Sequence, residues 1–532
     1  MAIHLTPCRV GPIVGHTTLC ETRIFAGINS GDVPVSLRDI DHHYNLGWVK
    51  VWRHGDQAVR LHRFRFSRSF DYTGVVILRN LLPGTGYFYQ VGFSAIETDN
   101  DNPELDWSSI EEIYSFKTAP ATRLDLSFSL GSCMYPTLRE FRRSDEPMIA
   151  SIDKPIDKMF RWMPNMKQDT PVDFQLLVGD QVYADPWNKV LPWTQTTSLD
   201  AFYKMYRQTY QLPFFRQAMA NVPTYMLMDD HEVNDGFRNG VRDYESGSWW
   251  GRYVNRNRER LNSAMQVFQV YQLSHGGAYT DILSPEADPN VGYIKGQNDY
   301  EIPQDWYYSF QWGVGDFFLT DCRTERTIDT LISRRQMTRL KEWLRYSDLP
   351  FKFIVSSIPV FPDAKSSLLE GRPDHWAHSL QQRNELLQWI DRHKITNVVI
   401  LSGDVHASFA CKLTTPAGVT VYQLICSGIY WPNTFKMFRW QKDQLHTDTL
   451  LESNNGESYE VSGLLADEHS PLRFYNGNGM ARIDVTKEQV RFRVFNRGAC
   501  KCVLSATIEA QTYNEKNLSP HGNEQALAET TF

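Results

Sequence analysis

Over its first 122 residues the chain sets apolar and polar side chains in alternation, in short runs such as "WVKVWR" (48–53) and "HRFRFSR" (62–68). A period of two places successive side chains on opposite faces, so each run predicts a half-buried strand. With "TRIFAGI", "GVVILRNL", "GYFYQVGFS" and "EIYSFKTAP" spaced between turn residues, the region predicts an antiparallel β-sandwich over residues 1–122. From residue 123 the pattern changes. Apolar runs, among them "LDLSFSLGSC", "DFQLLVGD", "TYMLMDD", "DFFLTDC", "FKFIVSSIPV" and "NVVILSGDVH", end in small or polar residues. Segments of helical period separate the later runs, through Met337, Leu340 and Leu344 in one and Leu380, Leu387 and Ile390 in another. Strands interleaved with helices predict an α/β domain over 123–512, whose functional groups collect in loops beyond the strand carboxyl ends. Residues 238–305 keep neither period beyond a helix over 256–275, and are expected to form an insertion over the site, lid-like. The polar segment 513–532 is expected to be a flexible tail.

Composition narrows the functional classes. A formal net charge of -7 offers no basic field for nucleic acid. No stretch approaches the roughly 18 apolar residues of a membrane span. The N-terminal "MAIHLTPCRVGPIVGHTTLCETR" has no basic-then-apolar leader and no twin arginine, so a cytoplasmic chain is expected, exported only if a signal has been removed. The eight cysteines are scattered and read as reduced thiols, with Cys500 and Cys502 too close in a strand for an easy bridge. Aromatic residues make up 13% of the chain, which suits sandwich cores or an aromatic-lined pocket; Trp249, Trp250, Trp306 and Tyr307 are candidates to line a path for an apolar alcohol.

Candidate chemistry gathers in four strand-end clusters: "LGSC" with Cys133, "GDQVY" with Asp180 and Tyr183, "DDHEVND" from Asp229 to Asp235, and "SGDVH" with Asp404 and His406. A lone Gly-Asp after a strand reads as a capped turn, and a lone buried cysteine as a small hydrophobe. The joint pattern has another meaning. Like-charged carboxylates leave water only when something positive compensates them, and a bound cation is a candidate. Thiolate, phenolate, carboxylate, amide and imidazole together form a donor set for a ferric-type Lewis acid beside an oxygen-loving divalent ion.

These residues resemble the metallophosphoesterases of the alkaline phosphatase D (PhoD) type. There the general pattern D-x-H, G-D-x-x-D, G-N-H-E and G-H-x-H becomes G-x-C, G-D-x-x-Y, D-D-H-E and G-D-x-H, and this sequence carries the second version at all four places. "TDCRTER", "RRQMTRLKEWL" and "DHWAHSLQQRNELLQWI" extend the likeness across most of 123–510. Separately, "LLPGTGY", with Leu81, Pro83, Thr85 and Tyr87, resembles the corner of fibronectin type III domains, where the tyrosine hydroxyl closes the turn. Together the resemblances imply a fibronectin type III-like sandwich followed by a four-layer αββα metallophosphoesterase domain.

The resemblance further implies that Cys133, Asp180, Tyr183 and His406 hold one metal, expected to be iron(III). Asp180 would bridge to a second metal, expected to be calcium with magnesium, manganese or zinc as alternatives, bound also by Asp404 and by Asp230 or Asn234. Such a site hydrolyses a small phosphate ester, a monoester or a diester, through metal-activated hydroxide. His231 is the candidate proton donor to the leaving group and Arg323 the candidate partner of a phosphate oxygen, with an Asp321–Arg323 structural contact as its alternative. Asp185 reads as a solvated loop or cap residue. One departure is that "FKFIVSSIPVF" offers no histidine for the second metal; His375 and His378 are available, with surface or N-cap roles as the alternative. Other readings are a phosphodiesterase acting on a lipid-like diester, and a non-catalytic binding module on a degenerate phosphoesterase scaffold, which would show gaps in the ligand set.

Overall fold

The computed structural model describes residues 2–37, 43–98, 100, 103–135, 156–162, 171–185, 196, 198–234, 236–237, 258–278, 281–283, 291–294, 305–327, 329–363, 375–431, 449–452, 458–464 and 474–511. Trp249, Trp250, most of the expected insertion and the expected tail at 513–532 lie outside them.

The alternating runs of the N-terminal region form antiparallel strands. His43–Arg53 pairs with Val59–Ser67 on one side and with Gly86–Ser94 on the other. Val10–Thr17, Thr22–Gly27 and Thr73–Leu78 form a second group. The single pair Ser67–Thr73 joins the two groups, so the network folds over on itself as a sandwich. Between its halves Val49, Phe64 and Tyr89 meet Ile24, Val76 and Leu78, all excluded from solvent. At the corner, the Tyr87 hydroxyl accepts the Leu82 backbone N–H at 2.9 Å, the closure expected from "LLPGTGY".

The larger region has four layers. One sheet runs in the order Thr224–Met226, Phe174–Leu177, Leu126–Gly131, Gly479–Val485, Gln489–Asn496 and Cys502–Glu509, with its first three strands parallel. The other contains the parallel strands Gly315–Leu319, Phe351–Val355, Val398–Ser402 and Thr420–Cys426, continued by antiparallel strands at both edges. Phe128 and Phe174 of the first sheet interlock edge to face with Phe317 of the second, at ring separations of 5.4 and 5.2 Å. Helices Leu199–Tyr210, Pro213–Asn221 and Arg258–Phe268 cover the outer face of the first sheet. Helices Arg334–Tyr346 and Leu380–Arg392 cover that of the second, burying Met337, Leu340, Leu344, Leu387 and Ile390. Leu380, the first residue of its helix, is 41% exposed and is not part of that stripe.

Two features differ from expectation. Within 238–305, strands Asp281–Leu283 and Val291–Ile294 form a hairpin that pairs with Thr73–Leu78, so this part extends the N-terminal sheet. Trp306 and Tyr307 pack against aromatic rings, Trp306 stacking on Phe268 and Tyr307 on Phe318. All eight cysteines are free thiols. No helix among the described residues is long and apolar enough to cross a membrane.

Candidate metal centre

Parallel strands deliver their carboxyl ends to one edge of a sheet, and here strand ends from both sheets converge. Leu126–Gly131 leads to Cys133, Phe174–Leu177 to Asp180 and Tyr183, Thr224–Met226 to Asp229–Asn234, and Val398–Ser402 to Asp404 and His406. Backbone bonds lace these loops together. Cys133 N–H donates to Gly179 O at 3.2 Å, Met134 N–H to Asp180 O at 2.9 Å, and Tyr430 N–H to Cys133 O at 3.1 Å. Two glycines permit this closeness. A Cβ on Gly179, whose φ is +108°, would lie 2.3 Å from the Asp229 Cβ, and one on Gly403 would lie 2.3 Å from the Ser132 Oγ.

The backbone is held in an unfavourable conformation at the donors themselves. Cys133, Asp180, Asp404 and His406 have φ of +60°, +57°, +65° and +53°. For residues with a Cβ this left-handed region costs roughly 1–3 kcal/mol each and persists where the surroundings over-determine it. Four such residues converging from the strand ends of two sheets point to function rather than to four independent turns.

The side chains converge. Donor atoms of Cys133, Asp180 and His406 lie within 4.8 Å of one another, as do those of Asp180, Asp229, Asp230 and Asp404, and those of Asp180, Asp230 and His231. Asp180 belongs to all three groups. Its Oδ2 accepts the Tyr183 hydroxyl at 3.0 Å and the Cys133 thiol at 3.4 Å, and its Oδ1 accepts the His231 backbone N–H at 3.2 Å. Asn234 is buried in the same segment, its backbone N–H closing a turn on Asp230 O at 2.7 Å. The Ser427 hydroxyl reaches the Cys133 sulfur at 3.2 Å and also accepts His406 N–H. Beside them the His406 ring stacks on Trp431 at 3.5 Å, and Tyr135 packs edge-on against both Tyr183 and Trp431.

Burial pushes the Cys133 thiol well above its ordinary range, with Asp180 and Asp404 adding to the effect. Burial likewise raises the Asp180 carboxyl, opposed by His231 and reinforced by Asp230, Asp229 and Glu232, and it raises the Tyr183 phenol beside Asp180 and Cys133. Groups that hinder one another's ionisation in this way are the profile of a site that completes its charge balance with cations. The donors fit that need: sulfur, phenol and imidazole at one end suit a transition metal, and carboxylates at the other suit a harder divalent ion.

Three placements alter the expectations. Asp185 is buried rather than solvated, and its Oδ1 lies 2.7 Å from His231 Nδ1. Burial opposes the His231 imidazolium, but Asp185, Asp230 and Asp180 outweigh it and raise the pKa well above the usual histidine value. Arg323 is fully buried behind the acidic pair rather than facing open space. Its Nε donates to Asp229 Oδ1 at 2.6 Å and its Nη1 to Phe237 O at 3.3 Å; Asp321 accepts the Arg323 backbone N–H, not the guanidinium. His375 caps a short helix by accepting Ala377 N–H, and His378 lies near Thr327 O; neither joins a metal-capable group among the described residues.

Asp229 and Glu232 were absent from the expected site residues although both stand in "DDHE". Glu232 accepts three backbone N–H groups, from Asp180 at 3.1 Å, Gln181 at 2.9 Å and Asp229 at 3.0 Å, and burial raises it to about 7. Trp431 had no local signal.

Comparison with known proteins agrees with the geometry. No curated protein matches the chain. The solved structure described as PhoD is similar, with 16% identity over 95% of this chain and 90% of that one at a TM-score of 0.61. A purple acid phosphatase from yellow lupin (Lupinus luteus) seeds shares 11% identity over 98% of this chain and 78% of its own, at a TM-score of 0.57. At these identities the likeness establishes the fold. The family model for PhoD-like phosphatases matches residues 150–494, more than half of the chain and the span of three of the four donor loops. With the family match, the shared fold and the acidic, thiol- and imidazole-bearing edge in agreement, the chain belongs to the PhoD-like phosphatase family, as a metal-dependent phosphoesterase.

Proposed function

We propose that the chain hydrolyses small phosphomonoesters or phosphodiesters at a dinuclear centre bridged by Asp180. The observation that carries this reading is the membership of Asp180 in every metal-capable group of the edge, between a Cys133–His406 side and an Asp229–Asp230–Asp404 side. Cys133, Tyr183, His406 and Asp180 would hold iron(III). Asp180, Asp404 and Asp230, with Asn234 or Asp229 completing the set, would hold calcium or another hard divalent ion. When bound, such ions supply positive charge for the phosphoryl oxygens and lower the pKa of water toward neutrality.

The remaining work falls to the chain. Asp185 fixes His231 through Nδ1, which directs the proton on Nε2 away from that pair, where it can be donated to the departing ester oxygen. Arg323 acts through Asp229, orienting the carboxylate. The binding-module reading predicts gaps in the ligand set, and the convergence of the donors favours hydrolysis over it. The test is hydrolysis of a chromogenic diester and the matching monoester by one preparation, before and after chelation. Turnover of at least one ester that is lost on chelation and in Asp180→Asn supports the reading, and absence of turnover on both after iron and calcium are restored contradicts it.

A further inference from the structure

The helix Arg258–Phe268 continues into a π-helical turn, Gln269–Leu273, whose five residues are all buried. Such turns are rare and recur at functional sites, because one extra residue re-aims the side chains that follow. Here Tyr271 and Gln272 reach different parts of the molecule. Gln272 Nε2 donates to Gln181 Oε1 at 2.6 Å and lies 3.4 Å from Glu232 Oε1, while the Tyr206 hydroxyl donates to Gln272 Oε1 at 3.1 Å. Glu232 in turn collects the backbone N–H groups of Asp180, Gln181 and Asp229, from two neighbouring strand ends. The Tyr271 hydroxyl donates to Asp71 of the sandwich at 2.6 Å. The sandwich holds the same segment again where His16 N–H donates to His275 O at 2.7 Å and Arg23 to Gly276 O. Gly15 packs so closely that a Cβ there would lie 2.2 Å from His275 O.

We infer that Gln272 is a positioning residue for the metal-ligand loops, clamping Glu232 and Gln181 from a π-helical turn that the N-terminal sandwich pins in place. The inference rests on the dinuclear reading above. A fixed amide in this position holds the Glu232 carboxylate where it can accept three N–H groups at once, and so sets how Asp180 and Asp229 approach each other. The sandwich is then part of the architecture of the centre.

The experiment uses the full chain loaded with iron and calcium. Gln272→Met keeps approximate shape and removes the donor; Tyr271→Phe removes only the hydroxyl on Asp71. In Gln272→Met the time to lose metal to excess EDTA is expected to shorten, and kcat to fall, by about 10-fold or more, the range for groups supporting metal ligands, while KM stays near the wild-type value. Tyr271→Phe is expected to shift both in the same direction by a smaller factor. A folded Gln272→Met that matches wild type in EDTA resistance and kcat overturns the inference. If Gln272→Met does not fold, Tyr206→Phe, which removes the hydroxyl held by the Gln272 amide, takes its place under the same criteria. A wild-type chain that keeps its metals yet cleaves neither ester contradicts the hydrolase reading alone, since EDTA resistance still decides the clamp. A wild-type chain that holds no metal contradicts both.

Discussion

Asp71 and Asp180 are both buried aspartates on left-handed backbone, with φ of +52° and +57°, and burial pushes both carboxyls up. Their surroundings differ in sign. Asp71, at the junction of sandwich and larger domain, is answered by the Arg207 guanidinium at 2.5 Å and by the Tyr271 hydroxyl. Asp180 faces Asp229, Asp230, Glu232, the Cys133 thiol and the Tyr183 phenol, with His231 as the cationic partner that opposes its rise. Burial and strained backbone alone do not separate a structural carboxylate from a functional one. The charge that the protein itself provides does: Asp71 is balanced by the chain, whereas on the proposed reading Asp180 is balanced by bound cations.

The sharpest break of that contrast is Asp180→Asn. Removing the shared carboxylate should abolish turnover and release metal, a larger loss than the 10- to 100-fold typical of supporting residues; steady-state assay with elemental analysis checks it. Next is His231→Gln, expected to lower kcat by about 10²- to 10⁴-fold while metal content stays as in wild type. Because a proton donor must be protonated, wild-type activity should fall as pH rises through the His231 pKa, and Asp185→Asn, which removes the carboxylate hydrogen-bonded to the imidazole, should move this limb to lower pH. A pH–rate profile on an ester with a poor leaving group reads both.

Arg207→Leu probes the other member of the pair. Breaking a buried ion pair costs about 3–5 kcal/mol, and with Arg207 partly reaching solvent about 2 kcal/mol is expected in chemical denaturation, with metal content unchanged. A further effect concerns two histidines at the same junction. Burial, with Arg23 adding to it, lowers His16 to about 3; it lowers His275 to about 4, where a hydrogen bond with Tyr271 O opposes it. Their neutral forms are favoured by folding, so their contribution is fully present above the ordinary histidine pKa near 6.5. It is lost progressively as pH falls from there toward 4, because the unfolded chain takes up protons that the folded chain refuses. Denaturation midpoints measured across that window should fall, and His275→Gln should flatten the slope.

Much of this contrast was legible in the residue pattern. Donors placed after separate apolar runs collect at the carboxyl ends of parallel strands, which is why Cys133, Asp180, Asp404 and His406 stand out in the sequence, and the packing of the two sheets then makes them neighbours in space. The sandwich was legible for a similar reason, since period-two alternation and the Tyr87 corner are local. Partners set by long-range packing left no such trace. Arg323 finds Asp229 across 94 residues of sequence, and Gln272 finds Gln181 across 91. The hairpin of Asp281–Leu283 and Val291–Ile294 joins a sheet whose other strands lie some two hundred residues earlier, a pairing that segment order alone does not reveal. Asp185 shows the same limit: the sequence reads it as a solvated loop or cap residue, and only the fold brings His231 over it.

The most direct test of the central claim is elemental analysis of metal per chain, in wild type and in Asp180→Asn, on protein shown to be folded by near-ultraviolet circular dichroism. The account predicts two metal equivalents in wild type, iron among them, and loss of at least one when the shared carboxylate becomes an amide. A folded wild-type chain with no bound metal after incubation with iron and calcium, or an Asp180→Asn variant that keeps both ions, would contradict it.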